Sequence, residues 1–259
     1  MKKYSRVLFL CVFLLFISRA VFGEGLYSLE LDNNSVKIIS GTLTARSKVI
    51  VEKGNERYYY NINNRKESIP LQFGNGKYMV KVVEHISGNK YKVIKKSEFD
   101  VKSQVVRELY TESNQPVYWK DQDETIKLAK QLNKDIDYDM EKVKVTYNYI
   151  IKNISYDHNK ISTLADSYVP ELDKILKSKS GICYDYASLF AGILRSQGIP
   201  AKLVKGYKSD LKEYHAWNEV LIDNKWIVID TTYDAALKDS KTKVSMIKEK
   251  SEYKNLKVY

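Results

Sequence analysis

Three residues stand out for the chemistry that their types and spacing could support: Cys183, His215 and Asp230. Cys183 opens an apolar stretch, Gly181-Ile-Cys-Tyr-Asp-Tyr-Ala-Ser-Leu-Phe, just after Ser180. The pattern predicts a helix from about Ile182 to Ser196. Ser180 would cap it, Tyr186, Leu189, Phe190, Ile193 and Leu194 would form its buried face, and Gly198 would supply its exit. Cys183 would then occupy the first turn, where unpaired backbone N–H groups and the helix dipole stabilise a thiolate. The same N–H groups could later hold an oxyanion. An inert buried cysteine is the competing reading, so the neighbours must decide.

Those neighbours lie in a hairpin. If Asp223-Asn224 is a two-residue turn, Leu221 pairs with Trp226, Glu219 with Val228 and Trp217 with Asp230. Side chains alternate along a strand, so His215, Trp217, Trp226, Val228 and Asp230 share one face. His215 is then diagonal to Asp230, at about 7–8 Å between backbones, within reach of a carboxylate for an imidazole N–H. Asp230 would orient His215, and the other ring nitrogen would take the Cys183 proton. Trp217, next to His215 on that face, is a candidate for the substrate cleft.

The elements that must position these residues follow from periodicity. Residues 24–102 read as a small all-β domain. The runs Val36 to Ile39, Lys48 to Glu52, Arg57 to Ile62, Ile69 to Phe73, Tyr78 to Glu84 and Tyr91 to Lys95 are separated by Asn- and Gly-rich turns. This predicts an immunoglobulin-like sandwich without that fold's disulfide. Residues 103–121 read as a polar linker and 122–259 as the catalytic domain. In the latter, Asp121 or Asp123 would cap one helix and Asp137 or Asp139 a second, with Val143, Tyr147, Ile150 and Ile154 on its apolar face. Pro170 would open a short helix ending near Lys179. The Lys-rich run after Asp234 is assigned no function. His85 has no ligand-type partner nearby, His158 reads as a solvated loop residue, and Asp135, Asp137 and Asp139 lack the Gly and Glu a calcium loop requires. No metal and no cofactor are expected.

Residues 1–23 read as a secretory signal peptide: Lys2, Lys3 and Arg6, an apolar run from Val7 to Ile17, and cleavage before Glu24. That run is too short to favour a stable membrane span, and Cys11 lacks the small neighbour that lipid attachment would require. Cleavage leaves Cys183 as the lone cysteine, unable to form an internal disulfide. A secreted or cell-surface location is expected. The chain carries 43 Lys and Arg against 32 Asp and Glu. Four of those cations precede Glu24, and the rest alternate with acids, a solvated surface rather than a nucleic-acid arm.

Taken together, Gly-x-Cys-x-x-x-Ala, the Gly-Ile-Pro after it, His-Ala-Trp-x-Glu-Val and Trp-x-x-x-Asp-x-Thr resemble the core of the transglutaminase-like superfamily. So does the upstream segment Tyr-Asn-Tyr-Ile-Ile-Lys-Asn-Ile-Ser-Tyr. The resemblance covers about residues 116–240. It implies an α+β, papain-like fold with Cys183 as nucleophile, His215 as base and then acid, Asp230 as orienter, and Tyr156 near the oxyanion. Where many members have Asp-Pro-Thr, this chain has Asp230-Thr231-Thr232. Animal members use calcium, but no binding loop of theirs is matched here. The expected function is a secreted acyl-transfer enzyme that forms a Cys183 thioester with protein or cell-wall peptide amides and passes it to an amine or to water. A cell-wall peptidase or amidase, and a non-catalytic binding protein on the same fold, are the alternatives. Oligomeric state is not legible.

Overall fold

The computed structural model describes residues 27–41, 46–102, 105–165, 167–238, 240 and 244–259. The expected signal peptide, its cleavage site and Cys11 lie outside the described residues. The N-terminal half is all β: β1 (Tyr27–Asp32), β2 (Ser35–Ser40), β3 (Ser47–Lys53), β4 (Glu56–Asn61), β5 (Lys66–Pro70), β6 (Gly76–Ser87) and β7 (Lys90–Val101). β1, β2 and β5 form one antiparallel sheet, and β4, β3, β6 and β7 another. Period-two alternation accounts for the shared core, with Val36, Ile38, Val49, Val51, Val80 and Val82 buried between the layers. Asn33, Gly54 and Gly88 adopt positive φ at the hairpin turns that the Asn and Gly clusters predicted. β1 was not anticipated, and β7 is more than twice as long as expected.

The C-terminal half mixes helices with a five-stranded antiparallel sheet. Its elements are α1 (Val106–Leu109), α2 (Glu124–Leu132), α3 (Asp139–Asn153), β8 (Ser155–Tyr156), α4 (Leu172–Ser178), β9 (Ser180–Gly181) and α5 (Cys183–Ser196). There follow β10 (Ala201–Lys208), β11 (His215–Ile222), β12 (Lys225–Ile229), α6 (Thr231–Leu237), β13 (Ile247–Lys248) and β14 (Tyr253–Val258). The sheet order is β13-β12-β11-β10-β14. α5 is the central element. Ala187, Leu189, Phe190, Ala191, Ile193 and Leu194 are each no more than 1% exposed, so the helix is covered all round rather than along one stripe. It packs on the sheet face that carries Leu203, Ala216, Val220 and Ile229.

Several capping expectations change. Ser180 does not cap α5; it pairs in β9 with Ser155 of β8. The helix is closed instead by Asp185, whose Oδ2 accepts from the Ile182 N–H at 2.9 Å. For α2, the carboxylate of Asp173 in α4 accepts from the backbone N–H groups of Glu124 and Thr125, a cap supplied across space that linear spacing does not reveal. The segment read as a polar linker is packed: Leu109, Tyr110 and Val117 are buried. Gln115 there donates to the Asn61 carbonyl, and Tyr259 stacks edge-on against Tyr58 and Tyr60, joining the two halves.

The C-terminal segment, to which no role was assigned, supplies β14. It lies so close to β10 that a Cβ on Gly206 would sit 2.0 Å from the Lys254 carbonyl and 3.0 Å from the Trp217 ring. Gly206 also pairs with His215. Gly206→Ala is therefore expected to destabilise the protein by about 3 kcal/mol, the range of overpacking in a rigid core. Urea denaturation would show this as a lowered midpoint with an unchanged slope.

Candidate active site

The hairpin register matches the one the sequence predicts. Asp223 and Asn224 both have positive φ, as a type I′ turn requires, and Leu221 faces Trp226 while Glu219 faces Val228. His215 is the first residue of β11, and Asp230 directly follows β12. His215 Nε2 donates to Asp230 Oδ2 at 2.8 Å. Tyr253 of β14 donates its hydroxyl to the same oxygen at 3.1 Å, and Oδ1 accepts from the Tyr233 N–H at 3.0 Å as the cap of α6. Asp230 is fully buried and satisfied on both oxygens, which holds it in one rotamer.

Cys183 is the first residue of α5 and half-buried. Gly181 lets Asp185 fold back beneath it, since a Cβ there would meet the Asp185 Cβ at 2.6 Å. Asp185 in turn binds Lys160 at 2.6 Å and the Tyr168 hydroxyl, tying these two residues to the helix start. With Nε2 committed to Asp230, His215 presents its other nitrogen to the cleft that it shares with Cys183, close enough for the sulfur to raise its pKa. Burial works against the imidazolium, but the hydrogen bonds and charges of Asp230 and Cys183 outweigh it and raise the His215 pKa to about 10. The three elements thus place a thiol, an imidazole and a carboxylate in series.

Cys183 and His215 open into a cleft of about 840 Å³, lined chiefly by tyrosine and aliphatic side chains. Tyr156 lines it, brought beside Cys183 by the short β8–β9 pairing, and burial pushes its phenol pKa up. Trp217 does not line it. That side chain is 1% exposed and stacks behind His215, with ring centroids 6.2 Å apart and planes at 25°, and it packs on Tyr253. It braces the imidazole from the core side. His158 stands at the cleft wall, edge-on to Tyr156, while His85 is far away at the β6–β7 turn, hydrogen-bonded to the Gly88 carbonyl. Sequence reasoning missed Tyr253, Asp185 and a cleft lysine, Lys205. Among the described residues, no cluster of His, Cys, Asp and Glu is arranged to hold a metal ion, and no helix is long and apolar enough to cross a membrane.

A buried helix that starts with a cysteine, packed on an antiparallel sheet bearing a His–Asp pair, defines a papain-like thiol architecture. Residues 126–231 match the Transglutaminase-like superfamily, which identifies this part of the chain as a transglutaminase-like domain. Over 125 residues it is 28% identical to the kyphoscoliosis peptidase of Mus musculus, covering 44% of this chain and 19% of the relative. Over 123 residues it is 30% identical to the uncharacterized protein YebA of Bacillus subtilis (strain 168), covering 40% and 17%. The chain thus spans less than a fifth of the length of these curated relatives. Among solved structures, a proposed cysteine protease from Cytophaga hutchinsonii overlays with a TM-score of 0.42 at 15% identity, covering 80% of this chain and 79% of that one. A TGase overlays at 0.37 and 20% identity, covering 50% and 35%.

Because folding tightens proton binding at His215, that proton favours the folded state. The contribution is fully present below the ordinary imidazole range, at about pH 6.5, and is lost as pH rises toward about 10. The stability difference between wild type and His215→Ala should therefore shrink between about pH 6 and pH 10 in parallel urea titrations. A difference that holds constant or grows would contradict this assignment of the proton.

Proposed function

We propose that the protein is a secreted acyl-transfer enzyme acting on peptide or glutamine-type amides through a thioester on Cys183. The observation that carries this reading is the meeting of Cys183, at a helix N-terminus, with an Asp230-anchored His215 inside one cleft. Cys183 Sγ attacks the amide carbonyl, and the C–N bond breaks as His215 gives its proton to the departing amine or ammonia. The oxyanion is held by the backbone N–H groups at the start of α5, with the Tyr156 hydroxyl as a second donor. His215, now neutral, takes a proton from the incoming amine or water as that nucleophile expels the thiolate. Asp230 stays ionised throughout and keeps the ring aligned.

The relatives do not decide between transfer and hydrolysis, although a peptidase name among them keeps peptide cleavage in view. The β half is read as an immunoglobulin-like spacer or binding module, and residues 1–23 as the export signal. The deciding experiment offers wild type and Cys183→Ala a glutamine-containing peptide pool with a dansyl-amine and reads products by mass spectrometry. Wild type should modify the pool and Cys183→Ala should not. Amine incorporation identifies a transferase, and new peptide termini or glutamate identify a hydrolase. Products from neither protein would leave the fold as a binding scaffold.

A further inference from the structure

Lys205 occupies a position where strand geometry asks for an apolar residue. Along β10, Ala201 and Leu203 point toward α5 and are fully buried, and period-two alternation sends Lys205 to the same side. There it lines the cleft with Cys183 and His215. Its ammonium lies over the Tyr184 ring, 3.2 Å from the centroid, and 5.5 Å from that of Tyr259.

Other lysines drawn into this half of the molecule are matched by carboxylates. Lys160 pairs with Asp185, Lys202 with Glu219, Lys208 with Asp210 and Glu252, and Lys248 with Asp234. Lys205 has no carboxylate in ion-pair range among the described residues. Burial pushes its pKa down to about 8, opposed by the charge of Cys183. Two aromatic rings offset part of that desolvation but cannot neutralise a cation. Moreover, the counter-charge from Cys183 vanishes once the sulfur is acylated, and Glu213, the carboxylate that lines the cleft, is not in ion-pair range of Lys205, so in the thioester state no anion among the described residues pairs with this desolvated ammonium. A carboxylate carried by the substrate would serve in both states.

We propose that Lys205 is a specificity residue, selecting acyl donors that carry a carboxylate close to the scissile amide. This rests on the reading of Cys183 as the nucleophile and adds the chemical class of its substrate. The partner is a peptide with a free carboxylate beside the reacting carbonyl, whether from an acidic side chain or a chain end. Such a donor meets Lys205 while its apolar parts lie on the tyrosine-rich wall. An uncharged donor of equal size leaves the ammonium unmatched and binds more weakly.

Two small probes test this without a known substrate. Iodoacetate and iodoacetamide alkylate the same sulfur, each forming an S–C bond and expelling iodide, and they differ in whether a carboxylate or a carboxamide sits beside the reacting carbon. The iodoacetate-to-iodoacetamide rate ratio at Cys183 should fall roughly fivefold or more in Lys205→Met, the size expected for loss of one partly screened charge pair. Lys205→Arg should keep the ratio within about twofold. Lys238→Met, which removes an exposed cation at the same cleft, should leave it unchanged because solvent screens that charge. Lys205→Gln provides a second neutral variant should the methionine chain fold poorly. If both rates drop together in the neutral variants, or neither changes, Lys205 does not read the carboxylate and the proposal is overturned. If wild-type Cys183 reacts with iodoacetamide no faster than a free thiol, the nucleophile reading fails instead, a result visible before the ratio is taken.

Discussion

The buried carboxylate of Asp230 is the constraint on which the rest of the site depends. It receives His215 from β11, Tyr253 from β14 and the first turn of α6, which it caps, so three elements converge on one group. A desolvated carboxylate is tolerable only when its lone pairs are filled, and removing one partner of such a group typically costs about 3–5 kcal/mol. The energetic demand of burying Asp230 and the geometric demand of orienting His215 are therefore met by the same contacts. Trp217 and Tyr253 close the core side of this pair, leaving the ring free only toward Cys183.

The same device recurs around the cleft. Asp185 locks the start of α5 to Lys160 and Tyr168, and Asp234 joins Tyr147 of α3 to Lys248 of β13. Asp173 caps α2 from α4. Each is a carboxylate whose partners come from another element, and each fixes a piece of the scaffold relative to α5 or the sheet. Lys205 departs from this pattern, being a cation buried without its carboxylate. Arg195, also buried, has its guanidinium N–H groups taken up by backbone carbonyls, and the other buried lysines have carboxylates, so Lys205 is the departure that points to a partner arriving from outside, as deviations from local consistency tend to at functional sites.

Local physics made much of the site legible. A two-residue Asp-Asn turn and strict alternation determine which side chains of β11 and β12 face each other, so the His215–Asp230 pairing follows from counting. An apolar run preceded by a break sets Cys183 at a helix start. What failed was whatever depends on contacts between distant segments. Tyr253 lies in a Lys-rich tail with little periodicity, and its role exists only once β14 pairs with β10. Ser180 looked like a cap because its type fits, but pairing with β8 took its backbone and left the task to Asp185. Trp217 shares a face with His215 as counted, yet that face is core at Trp217 and cleft only at the rim where His215 stands. The 103–121 stretch reads as polar by composition, and burial of Leu109, Tyr110 and Val117 is decided by the neighbours they meet.

The central claim is that His215 holds a proton because it is fixed between Asp230 and Cys183. The chain has three histidines, so an NMR titration of ring resonances, assigned with single His variants, addresses it directly. The account predicts that His215 stays protonated well past neutrality and titrates at about 10, falling toward the ordinary range in Asp230→Asn. A His215 that titrates near the unperturbed value of about 6.5 in the wild-type protein would contradict it.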